Sequence, residues 1–152
     1  MNEQLPVVVS SDEQEKISRA LLAWLNEFPD KPVSTINYEY LADDQAGMAL
    51  SAIQGTFKTK TYIRRGYQAQ YQFKVIYRIQ TGPGAENSTR LSAEEMLNKL
   101  GSWASTRRDF PDIGERKYVQ KIDFNARSAL FGRYDNGDED HQILMTLYYV
   151  SM

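Results

Sequence analysis

Cysteine is absent from the 152 residues, and histidine occurs once, at position 141. The first absence excludes disulfides, thiolate nucleophiles and cysteine-bound metals, and it fits a reducing cytoplasm. The second excludes a histidine-rich metal site, and no Ser-His-Asp arrangement can be argued from His141, which reads as a polar residue at a strand end. No apolar run approaches the ~20 residues needed to span a bilayer, so no membrane partner is expected. Met1 to Ser10 lack the basic start and long apolar stretch of a signal peptide. Residues 1–10 are expected to be a flexible N-terminal segment of a protein made and used inside a cell. Acid is missing over a long span as well: no Asp or Glu lies between Asp44 and Glu86, where Lys58, Lys60, Arg64, Arg65, Lys74 and Arg78 all fall.

What is present describes one ordinary globular domain, 1–152. A chain of this length buries roughly 70% of the surface its unfolded form exposes. Apolar residues make up 41% and charged residues 25%, with a net charge of only −2, which speaks against a dedicated nucleic-acid binder. Ten tyrosines suit sheet faces and protein interfaces. Acid gathers at Asp12 to Glu15 and at Asp135 to Asp140. Such segregation suits complementary contacts between copies or partners, while a sheet edge kept soluble by lysines explains it equally well. The candidate contact residues are Lys58, Lys60, Arg64, Arg65, Lys74, Arg78, Asp138, Glu139 and Asp140.

Two helices are legible. Ser10 with Glu13 forms a capping box, and Ile17, Leu21, Trp24, Leu25 and Phe28 then repeat at helical spacing until Pro29. Ser92 with Glu95 promises a second cap, with Leu91 stapled against Met96 and a buried stripe of Met96, Leu97, Leu100, Trp103 and Ala104. Gly101 costs this helix about 1 kcal/mol against alanine and permits close packing on a sheet. Strands are expected over Val33 to Leu41, Met48 to Ile53 and Phe57 to Ile63, with Gly55 a turn or bulge and Arg64-Arg65-Gly66 a tight turn. The clearest strand follows, with Tyr67, Ala69, Tyr71, Phe73, Val75, Tyr77 and Ile79 on one face and glutamines and cations on the other. Tyr118 to Phe124, Ser128 to Tyr134 and His141 to Val150 complete the set. The order α-β-β-β-β-α-β-β-β predicts an α+β fold: a mostly antiparallel sheet with two helices on one face. Tyr71, Phe73, Val75, Ile122, Met145 and Leu147 should line the inner face beneath Trp24 and Trp103.

Little here carries chemistry. Gly82-Pro83-Gly84 lacks the Lys-Ser/Thr and the strand-to-helix setting of a phosphate loop. Asp135, Asp138, Glu139 and Asp140 have calcium-like composition without EF-hand spacing, and read as a solvated hairpin tip. The aromatic and basic interleaving from Phe57 to Arg78 suggests a base-stacking sheet, but its aromatics share the apolar register of Ala69 and Val75 and read as core. Catalytic, cofactor-binding and metal-binding residues are none, and no enzyme activity is expected.

The stretch MALSAIQGTFKTKTYIRRGYQAQYQFKVIYR (48–78), the run RLSAEEMLNKLGSW (90–103) and the closing FGRYDNGDEDHQILMTLYYV (131–150) together resemble the minor capsid or tail-terminator-like proteins of tailed phages and prophages of Gram-positive bacteria. The likeness covers essentially the whole chain and lies in segment order. The chain departs from the family pattern at Arg64-Arg65-Gly66, where an acidic residue is expected before the glycine. The resemblance implies a tail-terminator-like fold and a homo-oligomeric ring, typically a hexamer, at the head-proximal end of a long tail. Such a ring stops tube growth and joins tail to head. Its partners would be itself, the tail-tube protein and a head-completion or connector protein, with phage DNA passing through unread. The implied location is the virion, after assembly in the host cytoplasm. The other reading of the residues is a nucleic-acid-binding accessory module using the cationic segment 58–78.

Overall fold

The computed structural model describes residues 7–53, 56–81 and 87–152. Within them the chain runs β1 (Val7–Val8), α1 (Ser11–Leu25), β2 (Ile36–Tyr38), β3 (Gly47–Ala52), β4 (Phe57–Thr61), β5 (Tyr67–Gln80), α2 (Asn87–Thr106), β6 (Lys117–Arg133) and β7 (Asp138–Ser151). Gly55 and Gly82-Pro83-Gly84 lie outside the described residues. β5 is the axis of the sheet. One edge pairs antiparallel with β7 along its whole length, from Tyr67↔Ser151 to Gln80↔Asp138, and β7 pairs with β6. The other edge is shared: β3 takes Phe73 to Arg78 and β4 takes Tyr67 to Gln70. Outside these, β2 runs parallel to β3 and β1 antiparallel to β4. The result is the expected α+β class, a seven-stranded and mostly antiparallel sheet.

Alternation decides which face of the sheet is dry. Tyr71, Phe73, Val75, Ile122, Met145 and Leu147 are all buried, as the period-2 pattern predicts, and they join Ile17, Leu21, Leu25, Leu97 and Leu100 in one core. Both helices therefore cover the same face. Ser10 caps α1, its hydroxyl accepting from the Glu13 N–H at 3.2 Å, but the reciprocal arm of the box is not made, because the Glu13 carboxylate accepts from Tyr67 and Tyr149. Trp24 is buried, whereas Trp103 is only partly so, tilted against it with ring centroids 5.0 Å apart.

Several expectations fail for identifiable reasons. The segment 1–10 is not free throughout. Residues 1–6 lie outside the described residues, but Val7 and Val8 pair with Lys58 and Phe57, and the Val9 N–H donates to the Thr56 carbonyl at 2.9 Å. Helix α2 begins at Asn87, not after a Ser92 cap, so Leu91 and Ser92 sit exposed inside it. Arg90 explains the extra turn, because its guanidinium is tied to Glu139 on β7. The strand at Val33 to Leu41 shrinks to three residues. Its edge is closed by Asn26, whose carboxamide accepts from the Ile36 N–H at 2.7 Å and donates to the Ile36 carbonyl at 3.1 Å, and Glu39 at φ 54° ends it.

The two strands expected over 118–124 and 128–134 are one, β6, whose register against β7 shifts repeatedly. The first shift, at Gln120, turns both Val119 and Ile122 inward and leaves Tyr118 in solvent. The largest correction concerns the acidic run at the start of β7. Asp138, Glu139 and Asp140 form no solvated tip: each is at most 2% exposed, as is His141.

Candidate functional site

Of the nine charged residues singled out from the sequence, Arg78, Asp138, Glu139 and Asp140 gather at the C-terminal end of β5 and Lys58, Lys60, Arg64 and Arg65 near its N-terminal end, roughly 40 Å away at the usual strand rise, with Lys74 in mid-strand. At the β7 end the charges are used up within the chain. β5 and β7 pair Arg78 with Asp140, and their side chains close a two-pronged ion pair of 2.7 and 2.8 Å, with Tyr134 donating to the same carboxylate at 3.0 Å. Glu139, on the inner face, is gripped by Arg90 at 2.7 to 3.1 Å and accepts from the Thr81 hydroxyl at 3.0 Å. Hydrogen bonding from Arg90, aided by Thr81, holds the Glu139 carboxyl at about 2, well below its ordinary value. The Arg78 guanidinium is pushed up in turn by its bond to Asp140. Asp138 accepts from the Asp44 N–H at 3.1 Å and from the Asn136 carboxamide at 3.0 Å.

A buried carboxylate stays charged only where such partners replace water. Arg78, Asp138, Glu139 and Asp140 are therefore corrected: they brace the fold and present no contact surface. Sequence reasoning missed Arg90, Thr81 and Tyr134 because nothing local marks them as partners. Tyr67 and Tyr149 were likewise read only as core. Both donate to the Glu13 carboxylate, Tyr149 at 2.6 Å, and burial with this bond pushes the Tyr67 hydroxyl up to about 12.

The other group stays available. Lys58 stacks its ammonium 4.3 Å over Tyr67, Lys60 lies 5.4 Å over Tyr62, and Lys74 on the outer sheet face lies 5.3 Å over Phe131. Arg64 and Arg65 are exposed at the β4–β5 tip. Among the described residues, Lys60, Arg64, Arg65 and Lys74 have no carboxylate partner.

The tip itself breaks local rules. The Tyr62 N–H donates to the Gly66 carbonyl at 2.7 Å across a three-residue loop, just as Tyr134 donates to Asp138 at 2.9 Å across the β6–β7 loop. The left-handed position is Gly137 (φ 93°) in the second loop but Arg65 (φ 71°) in the first. Holding a side chain there costs roughly 1 kcal/mol. Ile63 in the same loop is fully exposed, where turn chemistry favours Asn, Asp or Gly. The sequence pattern had placed Ile63 at a strand end.

A cleft of about 420 Å³ opens between α1 and β2. Leu22 and Tyr38 give it an apolar wall, Gln14 and Ser18 a polar floor, and Glu15 and Arg19 a charged rim. Much of the floor is already bonded. Ser18 donates to the Gln14 carbonyl at 3.0 Å and shares a 2.8 Å bond with the Tyr71 hydroxyl, while the Gln14 side chain accepts from the Thr56 N–H. No family model and no curated protein matches the chain. Among the described residues no three acidic or histidine side chains converge on a metal-holding position, and no helix is long and apolar enough to cross a membrane.

The outer face of the sheet is the remaining large feature. Gln68, Gln70 and Gln72 of β5 alternate there with no covering layer among the described residues, and Ile76, Leu144, Tyr148 and Val150 are only partly buried. A face of this mixed kind can bind another protein surface without prior unfolding.

Proposed function

We propose that the protein is a structural subunit of a long phage tail, forming a ring that caps the head-proximal end of the tube, halts its growth and joins it to the head. The observation that carries the reading is the architecture. Two helices on one face of a mostly antiparallel sheet agree with the fold that the likeness to tail-terminator-like proteins implies, although the order found, β-α-β-β-β-β-α-β-β, has one more strand before α1 and one fewer after α2 than expected. The uncovered outer face and the exposed tip supply surface for the contacts a ring requires, with itself, with tail-tube protein and with a connector. Phage DNA would pass through such a hexameric ring without being read. Deleting the gene from the phage that carries it tests this. Unjoined heads and tails of uncontrolled length are expected, and normal-length tails attached to heads would overturn the reading.

A second reading, a nucleic-acid-binding module, is favoured by one observation: Lys60, Arg64 and Arg65 cluster at the tip without carboxylates among the described residues. Three phosphate contacts would give a logarithmic salt slope of about −3. A salt titration of duplex DNA binding separates the two.

A further inference from the structure

We infer that Ile63 at the β4–β5 tip is a knob that seats in the α1–β2 cleft of a second copy of this chain. The inference rests on the reading of the protein as a self-assembling ring subunit, and it names the contact.

Three observations converge on it. The knob is fully exposed, with Tyr62 beside it, on a loop that tolerates Arg65 in a left-handed conformation although glycine does that work in the sister hairpin. A local rule broken twice in three residues marks a site kept for contact more than for folding. The cleft is large enough for a branched aliphatic side chain, and its floor hydroxyls and carbonyl already bond one another. An apolar occupant resting on Leu22 and Tyr38 therefore leaves the Ser18 hydroxyl and the Gln14 carbonyl paired.

Charge completes the match. Among the described residues, Arg64 and Arg65 flank the knob without carboxylates of their own. The cleft is bordered by Glu15, with Asp12 one turn earlier on α1, both exposed. Asp12 and Glu15 bind only Lys16 and Arg19 one turn along the helix, at 3.2 and 2.8 Å, exposed pairs that an incoming arginine can share. Tip and cleft are different surfaces, so the contact is head-to-tail and propagates. It closes into a ring when the rotation per subunit permits.

The absence of cysteine makes a clean test. Arg64→Cys and Ser11→Cys, each a single variant at an exposed position bordering knob or cleft, are mixed at high protein concentration with a short bismaleimide. A product joining position 64 of one copy to position 11 of another is expected in the mixture and in neither variant alone. In parallel, Ile63→Asp should weaken self-association about tenfold in sedimentation, the scale of losing a central apolar anchor, with an unchanged circular dichroism spectrum. A mixture without the 64–11 product, a 64–64 product in the Arg64→Cys sample alone, or unaltered association of Ile63→Asp overturns the inference. Should association persist through other residues, the ring reading survives without this contact. Should the chain neither self-associate nor alter tail length in the phage, both fall.

Discussion

Gly101 shows how one missing methyl group positions a whole helix. A Cβ there would stand 2.6 to 2.8 Å from three carbons of the Phe124 ring, so α2 rests directly on β6. Gly101→Ala gains about 1 kcal/mol of helix propensity and loses more through forced displacement of the ring. A net destabilisation of about 1–2 kcal/mol is expected in urea unfolding. Glu139 makes a different residue-scale prediction. Its folded pKa lies below the unfolded value, so its contribution is present above 4.5 and is lost as pH falls towards about 2. The urea midpoint should therefore drop across that window, and Glu139→Gln should flatten the drop while lowering stability at neutral pH. Tyr67 works in the opposite direction. Its raised pKa keeps its contribution intact below 10 and forfeits it as pH climbs through about 12, which tyrosinate absorbance recorded alongside circular dichroism will follow.

Elements end where side chains far away allow them to. The first turn of α2 exists because Arg90 reaches Glu139, 49 residues along the chain, and the local Ser92 cap loses to that contact. Arg90→Met should accordingly speed amide exchange in residues 91–94, whose N–H groups bond the carbonyls of that turn, and leave 97–104 protected. At β2, Asn26 substitutes for a neighbouring strand by filling both backbone valences of Ile36. Asn26→Ala should cost about 1–3 kcal/mol by stranding those groups, measured by the thermal midpoint and by exchange at Ile36. The amphipathic stripes of both helices and the alternation of β5 were legible in advance because periodicity is written in consecutive residues. The single long β6 was not, since its bulges shift the inward register part-way and disguise one strand as two.

Across the whole molecule, charge divides into a braced end and a free end. The acid-poor span and the acidic run at 138–140 meet within one chain through Arg78 and Asp140, and Glu139 is taken by Arg90, so charge segregation alone is no argument for contact between copies. What remains for a partner is the tip with Lys60, Arg64 and Arg65. Reversing both arginines, Arg64→Glu with Arg65→Glu, should leave the thermal midpoint nearly unchanged, because exposed substitutions stay within about 0.5 kcal/mol. On the proposed reading, the same double variant should weaken self-association. The dry side of the molecule offers a control. Trp24→Ala, removing a buried ring whose indole N–H donates to the Asp109 carbonyl at 2.9 Å, should cost about 3–5 kcal/mol and abolish assembly through unfolding instead.

The sequence by itself determined the class of fold, the two helical stripes and the inward face of the central strand, because each depends on spacing between near neighbours. It also carried every residue of the candidate tip. Tertiary structure alone decided which charges are spent inside the fold and which remain outside. That choice follows from the register of β5 against β7, which brings Arg78 beside Asp140 across 62 residues, and from the packing of α2, which carries Arg90 to Glu139. Local pattern holds no record of such pairings, since they are set by where the strands meet and not by what precedes or follows each residue. The exposure of Ile63 has the same origin. A strand pattern continues through it, but β5 turns back at Gly66, and the last apolar residue of β4's run is left at the tip with nothing to cover it.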